Sequence, residues 1–188
     1  MEHRSDILIV GGGFGGLSCF QHIDRNARKV NLLTNRNHFL FTPLLPLAAV
    51  GSVEVRSIVE PIYSFEKEKD EVMIGEALDL QPEKKRLIAK IERDRTDSFH
   101  YGSLILAMGA TTATYNIPGV PENCSLIKEM KDARLLREKI IYQFQKASHL
   151  NKTERKPALT FVLVGAGPTG VETACEIYDL VKDDFSKH

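Results

Sequence analysis

The chain has 188 residues, 43% of them apolar, which is enough for one large domain or two small ones with a packed core. Lys and Arg together number 25, as do Asp and Glu, so the formal net charge of zero favours neither nucleic acid nor an acidic membrane surface as a partner. The three cysteines form no CxxC pair, and the six histidines show no metal-ligand spacing. We therefore expect a reduced, intracellular protein without a metal site.

The N-terminal residues run directly into a short apolar segment and lack the regions of a signal peptide. No stretch approaches the roughly 20 apolar residues that span a bilayer. We expect the chain itself to be soluble, with any membrane contact peripheral or made by residues outside it.

A βαβ unit is predicted at the start of the chain. The apolar run Ile7–Val10 is too short for a helix and ends in glycines, which is typical of a buried parallel strand. A helix is predicted from Leu17 to about Arg25, and a second strand over Lys29–Thr34. Strand, tight loop, helix and strand within about 30 residues make up the βαβ motif.

Residues 38–50, HFLFTPLLPLAAV, differ in character from the segments around them. Pro43 and Pro46 argue against a regular helix or a central strand here. Such an apolar loop either seals the core or lies against something flat, and the residues alone leave both interpretations open.

An antiparallel meander is predicted over residues 71–101, where apolar and polar residues alternate. Ser103–Ala107 is predicted as a further buried strand, which Gly109 ends. The predicted strands of the meander are Val72–Leu80, Arg86–Ile91 and a short segment near Phe99.

The rest of the chain is predicted to be mainly helical. A turn is expected over Ile117–Pro121, a helix from Ser125 to about Leu150, and a charged linker over Asn151–Lys156. Leu159–Val164 then repeats the opening strand, and a helix is predicted from Val171. The chain therefore reaches one helix into a second unit.

A glycine loop of the pattern GxGxxG follows each of the two strands that open a unit. The first glycine allows the tight turn, the second lets a phosphate approach the backbone, and the third lets the helix pack on the strand. The helix N-terminus offers free N–H groups and a partial positive charge to a pyrophosphate. Two such loops in one chain are typical of proteins that pass hydride from a nicotinamide to a flavin. The glycines are Gly11, Gly13 and Gly16, with Gly15 giving extra room, and Gly165, Gly167 and Gly170.

One part of the dinucleotide pattern is missing from the first unit. An Asp or Glu is expected about 20 residues after the loop, but the window NLLTNR contains neither. Thr34 or Asn35 is the neutral candidate for the ribose hydroxyls, which is a weaker tie. Glu172, two residues past Gly170, either stabilises the helix start through the dipole or is a functional acid.

The whole chain resembles the type II NADH dehydrogenases, the single-subunit, non-pumping NADH:quinone oxidoreductases. The most specific combination is FTPLLP followed by a later GxGPTGVE, while Leu47 stands where family members often have Glu. The stretches that carry the resemblance are ILIVGGGFGGL, NRNHFLFTPLLPLAAVGSVE, YGSLILAMGA, NIPGVPEN and FVLVGAGPTGVE.

The resemblance implies FAD at the first loop and NADH at the second, with the nicotinamide stacked on the flavin. Glu172 matches a family acid near the nicotinamide and quinone, with a role in substrate handling or proton transfer. The residues expected at FAD are Gly11, Gly12, Gly13, Phe14, Gly15, Gly16, Thr34, Asn35, Thr42, Pro43, Ala77, Ala107 and Gly109, and those expected at NADH are Gly165, Gly167, Pro168, Thr169 and Gly170.

The fold expected is α/β, with a Rossmann-like FAD-binding domain over residues 1–115 and the antiparallel meander inserted at about 71–101. A connecting turn and helix over 116–156 lead to the start of a second Rossmann-like, NADH-binding domain over 157–188. The resemblance implies quinone and NADH as substrates and leaves room for a homodimer. It places the parent protein in the cytoplasm, peripheral on the inner face of the cell membrane through a C-terminal region outside this chain.

Three alternative roles for the chain differ in what they require of its cysteines and glycine loops. A disulfide reductase requires two neighbouring cysteines beside the flavin, and residues 38–50 contain none, so this activity is excluded. A sulfide:quinone reductase shares the FTP-type loop but relies on reactive cysteines, for which Cys124 is the only candidate. A non-catalytic nucleotide-binding fragment is the third interpretation, although both glycine loops are whole.

Overall fold

The computed structural model describes residues 1–24, 26, 28–67, 69–91 and 95–185, without the side chains of 184 and 185. These residues form two compact units. The first joins Met1–Phe39 to Glu60–Ala110, and the second joins Leu40–Val59 to the chain from Thr111 onward. The two units are not the predicted cofactor-binding domains, so the predicted domain boundaries at residues 115 and 156 remain a prediction.

The elements follow one another in chain order. The strands are β1 Glu2–Val10, β2 Val30–Thr34, β3 His38–Leu40, β4 Val59–Pro61, β5 Glu71–Gln81, β6 Arg86–Ile91 and β7 Arg95–Leu106. The α-helices are α1 Phe14–His22, α2 Leu45–Val50, α3 Val120–Asn123, α4 Met130–Ser148, α5 Lys152–Ala158 and α6 Pro168–Leu180. Single 3-10 turns occupy Thr42–Leu44, Val55–Ile58, Ile62–Phe65 and Pro82–Lys84, and a π-helical turn occupies Val181–Phe185.

The first unit is built on a closed sheet in the order β1-β2-β5-β6-β7. β1 lies between β2 and β7 and is parallel to both, and β2 is parallel to β5. β5 is antiparallel to β6, and β6 is antiparallel to β7, which is the predicted meander. The predicted fold class, an α/β domain with a parallel sheet and an inserted meander, is confirmed.

Alternate residues of β1 pack on opposite sides of the sheet, as the period of two requires. Leu8 and Val10 join a core cluster made by residues of the strands alone. Ile9 joins a second cluster with Leu17 and Phe20 of α1. Because both sides of the sheet are covered here, every residue from Ile7 to Val10 is apolar, as in a central parallel strand.

Two strands are longer than the sequence predicted. β1 begins at Glu2 and not at Ile7, because its first residues pair with residues 98–101 of β7. β7 is one strand of 12 residues where the sequence predicted two. Gly102 lies within it, where a Cβ would stand 2.7 Å from the backbone oxygen of Asp6.

The expectation that residues 38–50 contain no regular helix is wrong. α2 begins at Leu45 and carries Pro46 in its first turn, where a missing N–H costs nothing. Ala48 and Ala49 are fully buried in a core cluster of the second unit. Leu40 is buried in the same cluster, whereas Phe41 and Pro43 are exposed, so the segment seals a core on both sides of an exposed turn.

The charged segment predicted as a linker forms α5. Asn151 caps this helix, because its side-chain oxygen accepts the backbone N–H groups of Thr153 and Glu154, both at 3.1 Å. The predicted helix before it is α4, which begins five residues later than expected and has a capping box formed by Glu129 and Asp132. In both helices the first residue is set by capping hydrogen bonds between residues two or three positions apart in the chain.

The strand predicted over Leu159–Val164 is not formed in this structure. The segment has no regular secondary structure, and the side chains of Val162 and Val164 are 82% and 88% exposed. A parallel strand requires a hydrogen-bonded neighbour, and no strand of the described residues pairs with this segment. α6 begins at Pro168, three residues before the predicted start at Val171.

A buried carboxylate ties the beginning of β1 to β7. The side chain of Asp97 is fully buried and accepts hydrogen bonds from the N-terminal ammonium of Met1 at 2.8 Å and from Nε2 of His3 at 2.9 Å. The guanidinium of Arg95 lies 3.1 Å away. Burial raises the pKa of Asp97, but the hydrogen bonds from the ammonium and His3, with the neighbouring positive charges, lower it to about 2.

Stability should therefore fall in acid. In the fold the pKa of Asp97 is about 2, against 3.8 ordinarily, so its contribution is fully present above pH 3.8 and is lost as the pH falls towards 2. Urea unfolding across this range measures the loss. Asp97→Asn should remove the step and lower stability at neutral pH, because the N-terminal ammonium and the guanidinium of Arg95 lose their counter-charge. A step that survives in Asp97→Asn would have another origin.

Candidate functional site

The first glycine loop leaves β1 between its two neighbouring strands. The N–H of Gly11 donates to the backbone oxygen of Leu33, and the N–H of Ala107 donates to that of Val10, both at 2.8 Å. Gly11 has a φ of +116°, and a Cβ there would collide with the backbone oxygen of Ala107. Only glycine meets both conditions.

The third glycine of the pattern brings α1 against the loop. A Cβ on Gly16 would collide with the backbone oxygen of Gly11. Gly15, one residue earlier, faces ordinary packing, with its nearest neighbour, the Cβ of Ala107, at 3.9 Å. The position of α1 thus depends on Gly16 and not on Gly15.

The middle glycine is open. Gly13 is the N-cap of α1, in extended conformation at φ −87° and ψ −168°, and no side chain caps the helix. A Cβ there would meet no atom within 4 Å, and the first turn contains no acid. The start of this helix therefore has no side-chain cap and leaves room beside Gly13, as a bound pyrophosphate requires.

The second loop repeats the backbone geometry of the first, except that a Cβ on Gly165 would meet open space where one on Gly11 meets Ala107. Gly165 has a φ of +104°, and a Cβ on Gly170 would collide with its backbone oxygen. Gly167 is the N-cap of α6 at φ −74° and ψ 170°, with no side-chain cap and no atom within 4 Å of a Cβ. The N–H of Val171 donates to the backbone oxygen of Gly167 at 3.1 Å, as the N–H of Leu17 donates to that of Gly13 at 2.9 Å.

The two candidates for the ribose differ in exposure. Thr34 is 3% exposed, its Oγ1 accepts the N–H of Arg36 at 3.3 Å, and the same oxygen would lie 2.6 Å from a Cβ on Gly12. Asn35, the next residue, is exposed. The buried side chain of Thr34 thus packs against the loop at Gly12, and Asn35 is the candidate that is open to solvent.

The remaining residues predicted at FAD within the first unit follow the carboxyl ends of parallel strands. Ala107 and Gly109 come directly after β7, and Gly109 has a φ of +72° with open space around a Cβ. Ala77 lies three residues beyond Ile74, the last residue of β5 that pairs with β2, and is half-buried. Carboxyl ends of parallel strands are where ligands bind in such sheets.

Thr42 and Pro43 belong to the second unit. Both lie in the 3-10 turn before α2, where Thr42 is half-buried and Pro43 is exposed. The second loop is in the same unit, with Pro168 and Thr169 exposed at the start of α6.

Glu172 is exposed and lies one turn further into α6 than expected. Because the helix begins at Pro168, Glu172 is its fifth residue, and the first turn carries no acid. Stabilisation by the helix dipole therefore explains Glu172 less well, because the interaction of a charge with the dipole falls off within the first turn.

Two supporting contacts have no signal in the sequence. Phe14, 47% exposed at the start of α1, meets Phe39 edge to face at 5.0 Å, and Ile62 lies 3.2 Å from a Cβ on Gly12. Phe39 and Ile62 are distant from the loop in sequence, so only the folded chain brings them there.

Cys19, Cys124 and Cys175 are free. Among the described residues no group of His, Cys, Asp or Glu could hold a metal ion. Nor does any helix in that part of the chain have the length and apolar character to cross a membrane.

Residues 5–184 match the family model described as pyridine nucleotide-disulphide oxidoreductase. The chain is 39% identical over 192 residues to the external NADH-ubiquinone oxidoreductase 2, mitochondrial, of Saccharomyces cerevisiae, an alignment that covers 98% of the chain and 35% of the relative. The chain thus spans about a third of the length of the curated relatives it matches.

Solved structures have the same fold. NDH2 from Plasmodium falciparum in complex with NADH superposes with a TM-score of 0.89 at 31% identity, over all of this chain and 39% of that one. The sulfide:quinone oxidoreductase of Aquifex aeolicus reaches a TM-score of 0.62 at 22% identity, over 76% of this chain and 32% of that one. The second likeness shows the fold alone.

Proposed function

Since this chain belongs to the pyridine nucleotide-disulphide oxidoreductase family, we propose that it is the part of a type II NADH:quinone oxidoreductase that binds FAD and NADH. The resemblance to type II NADH dehydrogenases seen in the motifs is confirmed by the likeness to NADH-ubiquinone oxidoreductases and to NDH2. The observation that carries the proposal is the shared geometry of the two loops, each with an uncapped helix start and an open middle glycine.

The first loop suits FAD in its chemistry. Open N–H donors at the start of α1 favour the pyrophosphate, and Gly13 leaves room for it. Of the two ribose candidates Asn35 is favoured, because its side chain is exposed while that of Thr34 is buried against Gly12. The proposed FAD contacts are Gly11, Gly12, Gly13, Phe14, Gly15, Gly16, Thr34, Asn35, Thr42, Pro43, Ala77, Ala107 and Gly109.

The second loop has the same chemistry and is assigned to NADH. The proposed contacts are Gly165, Gly167, Pro168, Thr169 and Gly170, with the pyrophosphate at the start of α6. The bound flavin would accept hydride from NADH and pass two electrons to a quinone. The work of the chain is to hold the two nucleotides and to supply a proton-carrying group, for which Glu172 is the candidate.

The parent enzyme is proposed to act at a membrane surface, where quinones are found. The relatives named above are mitochondrial by name, so we propose a mitochondrial membrane in place of the inner face of a cell membrane. A homodimer remains a prediction.

Flavin reduction tests the function. In the full-length protein loaded with FAD, anaerobic NADH should bleach the flavin absorbance near-stoichiometrically, and an absorbance spectrum of the purified 188-residue chain tests whether this part retains flavin. Bleaching by sulfide and not by NADH would instead make the protein a sulfide:quinone reductase. A chain that folds but takes up no flavin would support the non-catalytic interpretation.

Glu172→Gln should slow NADH:quinone turnover, on the order of 100-fold if the carboxylate carries a proton. FAD content should not change, because Glu172 is exposed on α6 and far in sequence from the first loop. Asp179→Asn, an exposed change two turns further along the same helix, is the matched control. Equal turnover in both variants would remove Glu172 from the mechanism.

A further inference from the structure

One side-chain hydrogen bond joins α2 to α6 within the second unit. Oγ of Ser52 donates to Oε2 of Glu176 at 2.6 Å, between residues 124 positions apart in the chain. Ser52 comes directly after Gly51, the C-cap of α2, and Glu176 lies in α6. A hydrogen bond to an ionised carboxylate is shorter and stronger than one between neutral groups, and this distance agrees with that.

Both partners are fixed to their helices. The N–H groups of Gly51 and Ser52 each donate to the backbone oxygen of Leu47 at 3.0 Å, so Ser52 has a defined place at the end of α2. Glu176 is the ninth residue of α6 and lies one turn beyond Glu172 on the same side of the helix. A movement of α6 along or around α2 would therefore lengthen the hydrogen bond.

Apolar packing holds the same two helices together. Val50 of α2, Ile140 of α4 and Ile177 of α6 belong to one core cluster, each at most 9% exposed. Such packing keeps the helices from separating, but it is not directional, and packed helices slide by small amounts. The hydrogen bond is directional and therefore selects one arrangement of α2 and α6.

The first residues of these helices follow the segments proposed at the two nucleotides. The turn Thr42–Leu44, which holds the proposed flavin contacts Thr42 and Pro43, leads directly into α2. The loop that begins at Gly165 and is proposed at NADH leads into α6 through its N-cap Gly167. Helices place such residues precisely, so the arrangement of α2 and α6 sets the position of the loop relative to the turn.

We propose that Ser52 and Glu176 are a positioning pair that sets how the nicotinamide lies against the flavin. This inference rests on the proposed function, because it assumes FAD and NADH at the segments named above. Hydride transfer depends steeply on the approach of donor and acceptor, and a displacement of about 1 Å costs on the order of 100-fold in rate. Neither residue needs to touch a nucleotide, because the pair acts through α2 and α6.

The rate of flavin reduction in the full-length protein loaded with FAD tests the pair. Ser52→Ala should lower the limiting rate of reduction by NADH about tenfold in stopped-flow mixing, while the Kd of NADH and the FAD content stay unchanged. Ser52→Thr keeps the hydroxyl and should restore the rate. Ser57→Ala is the matched control, since this exposed hydroxyl donates locally, to the backbone oxygen of Glu54 at 2.7 Å, and its loss should leave the rate unchanged.

A second measurement does not depend on turnover. A nicotinamide stacked on a flavin gives a long-wavelength charge-transfer absorbance, and the tetrahydronicotinamide analogue of NADH produces it without donating hydride. Ser52→Ala should weaken this band, because the stacking changes, and Ser57→Ala should keep it. Loss of general stability would not alter the band in a protein that still binds FAD and the analogue.

A double-mutant cycle tests whether the two residues act as one. Glu176→Ala should slow flavin reduction as much as Ser52→Ala does, and the double variant should be no slower than either, because both changes remove one interaction. Glu176→Gln retains an oxygen that accepts the hydroxyl of Ser52 and should lose less.

The outcomes separate this inference from the function on which it rests. If NADH bleaches the wild-type flavin and reduces Ser52→Ala equally fast, the pair has no positioning role. Additive slowing in the double variant, or equal losses in Ser52→Ala and Ser57→Ala, would overturn it as well. A wild-type flavin that NADH does not bleach would instead overturn the proposed function, and this inference with it.

Discussion

Gly16→Ala should destabilise the first unit by at least about 3 kcal/mol and abolish FAD binding. The added Cβ would collide with the backbone oxygen of Gly11, and because that atom is backbone, no side-chain rotation relieves the contact. α1 would have to move off the loop and take its N–H donors with it. Urea unfolding and FAD fluorescence quenching measure the two effects.

The neighbouring glycine is the matched control. Gly15→Ala adds the same methyl group to α1, but it meets only the Cβ of Ala107 at 3.9 Å. Alanine is the better helix former, so this change should raise stability by about 0.5–1 kcal/mol. If the two variants unfold alike, the close packing of α1 on the loop is not what the third glycine secures.

Gly13→Asp should weaken FAD binding on the order of 100-fold while leaving the fold as stable or more so. Gly13 is the N-cap of α1 in extended conformation, and Asp is a preferred residue at that position. Its carboxylate would occupy the helix donors and repel a pyrophosphate placed there. Thermal unfolding without ligand and FAD titration separate the two consequences.

Gly13→Asn isolates the charge. Asn caps a helix about as well as Asp, so any difference of tenfold or more in FAD affinity between the two variants comes from repulsion. Gly167→Asp makes the same change at the second loop and should weaken NADH binding while sparing FAD. Loss of FAD from Gly167→Asp, or of NADH from Gly13→Asp, would contradict the assignment of the loops.

Local signals in the sequence were strong enough to locate both loops and most strands. Each loop joins an apolar run to a helix through glycines whose roles depend on a few neighbouring residues, and the structure places those glycines in the predicted geometry. β6 has its predicted bounds at Arg86–Ile91, because a short apolar run with turn residues on both sides is a local pattern.

Signals that depend on distant partners were missed. α2 forms despite Pro46 because the proline falls in its first turn and the helix buries Ala48 and Ala49. The choice between Thr34 and Asn35 required burial, since both are neutral hydrogen-bonding residues at the end of one strand.

The sequence by itself determined where a dinucleotide phosphate can approach this chain, since a tight turn, an open N-cap and a close helix contact are set within six residues of each loop. Tertiary structure alone decided how long the strands are and whether a given run of apolar residues forms a strand. β1 extends to Glu2 because β7 pairs with it there, while Leu159–Val164, equally apolar, has no paired strand among the described residues. The physical reason is that a strand satisfies its backbone hydrogen bonds only through a neighbour, which the residues of the strand do not specify.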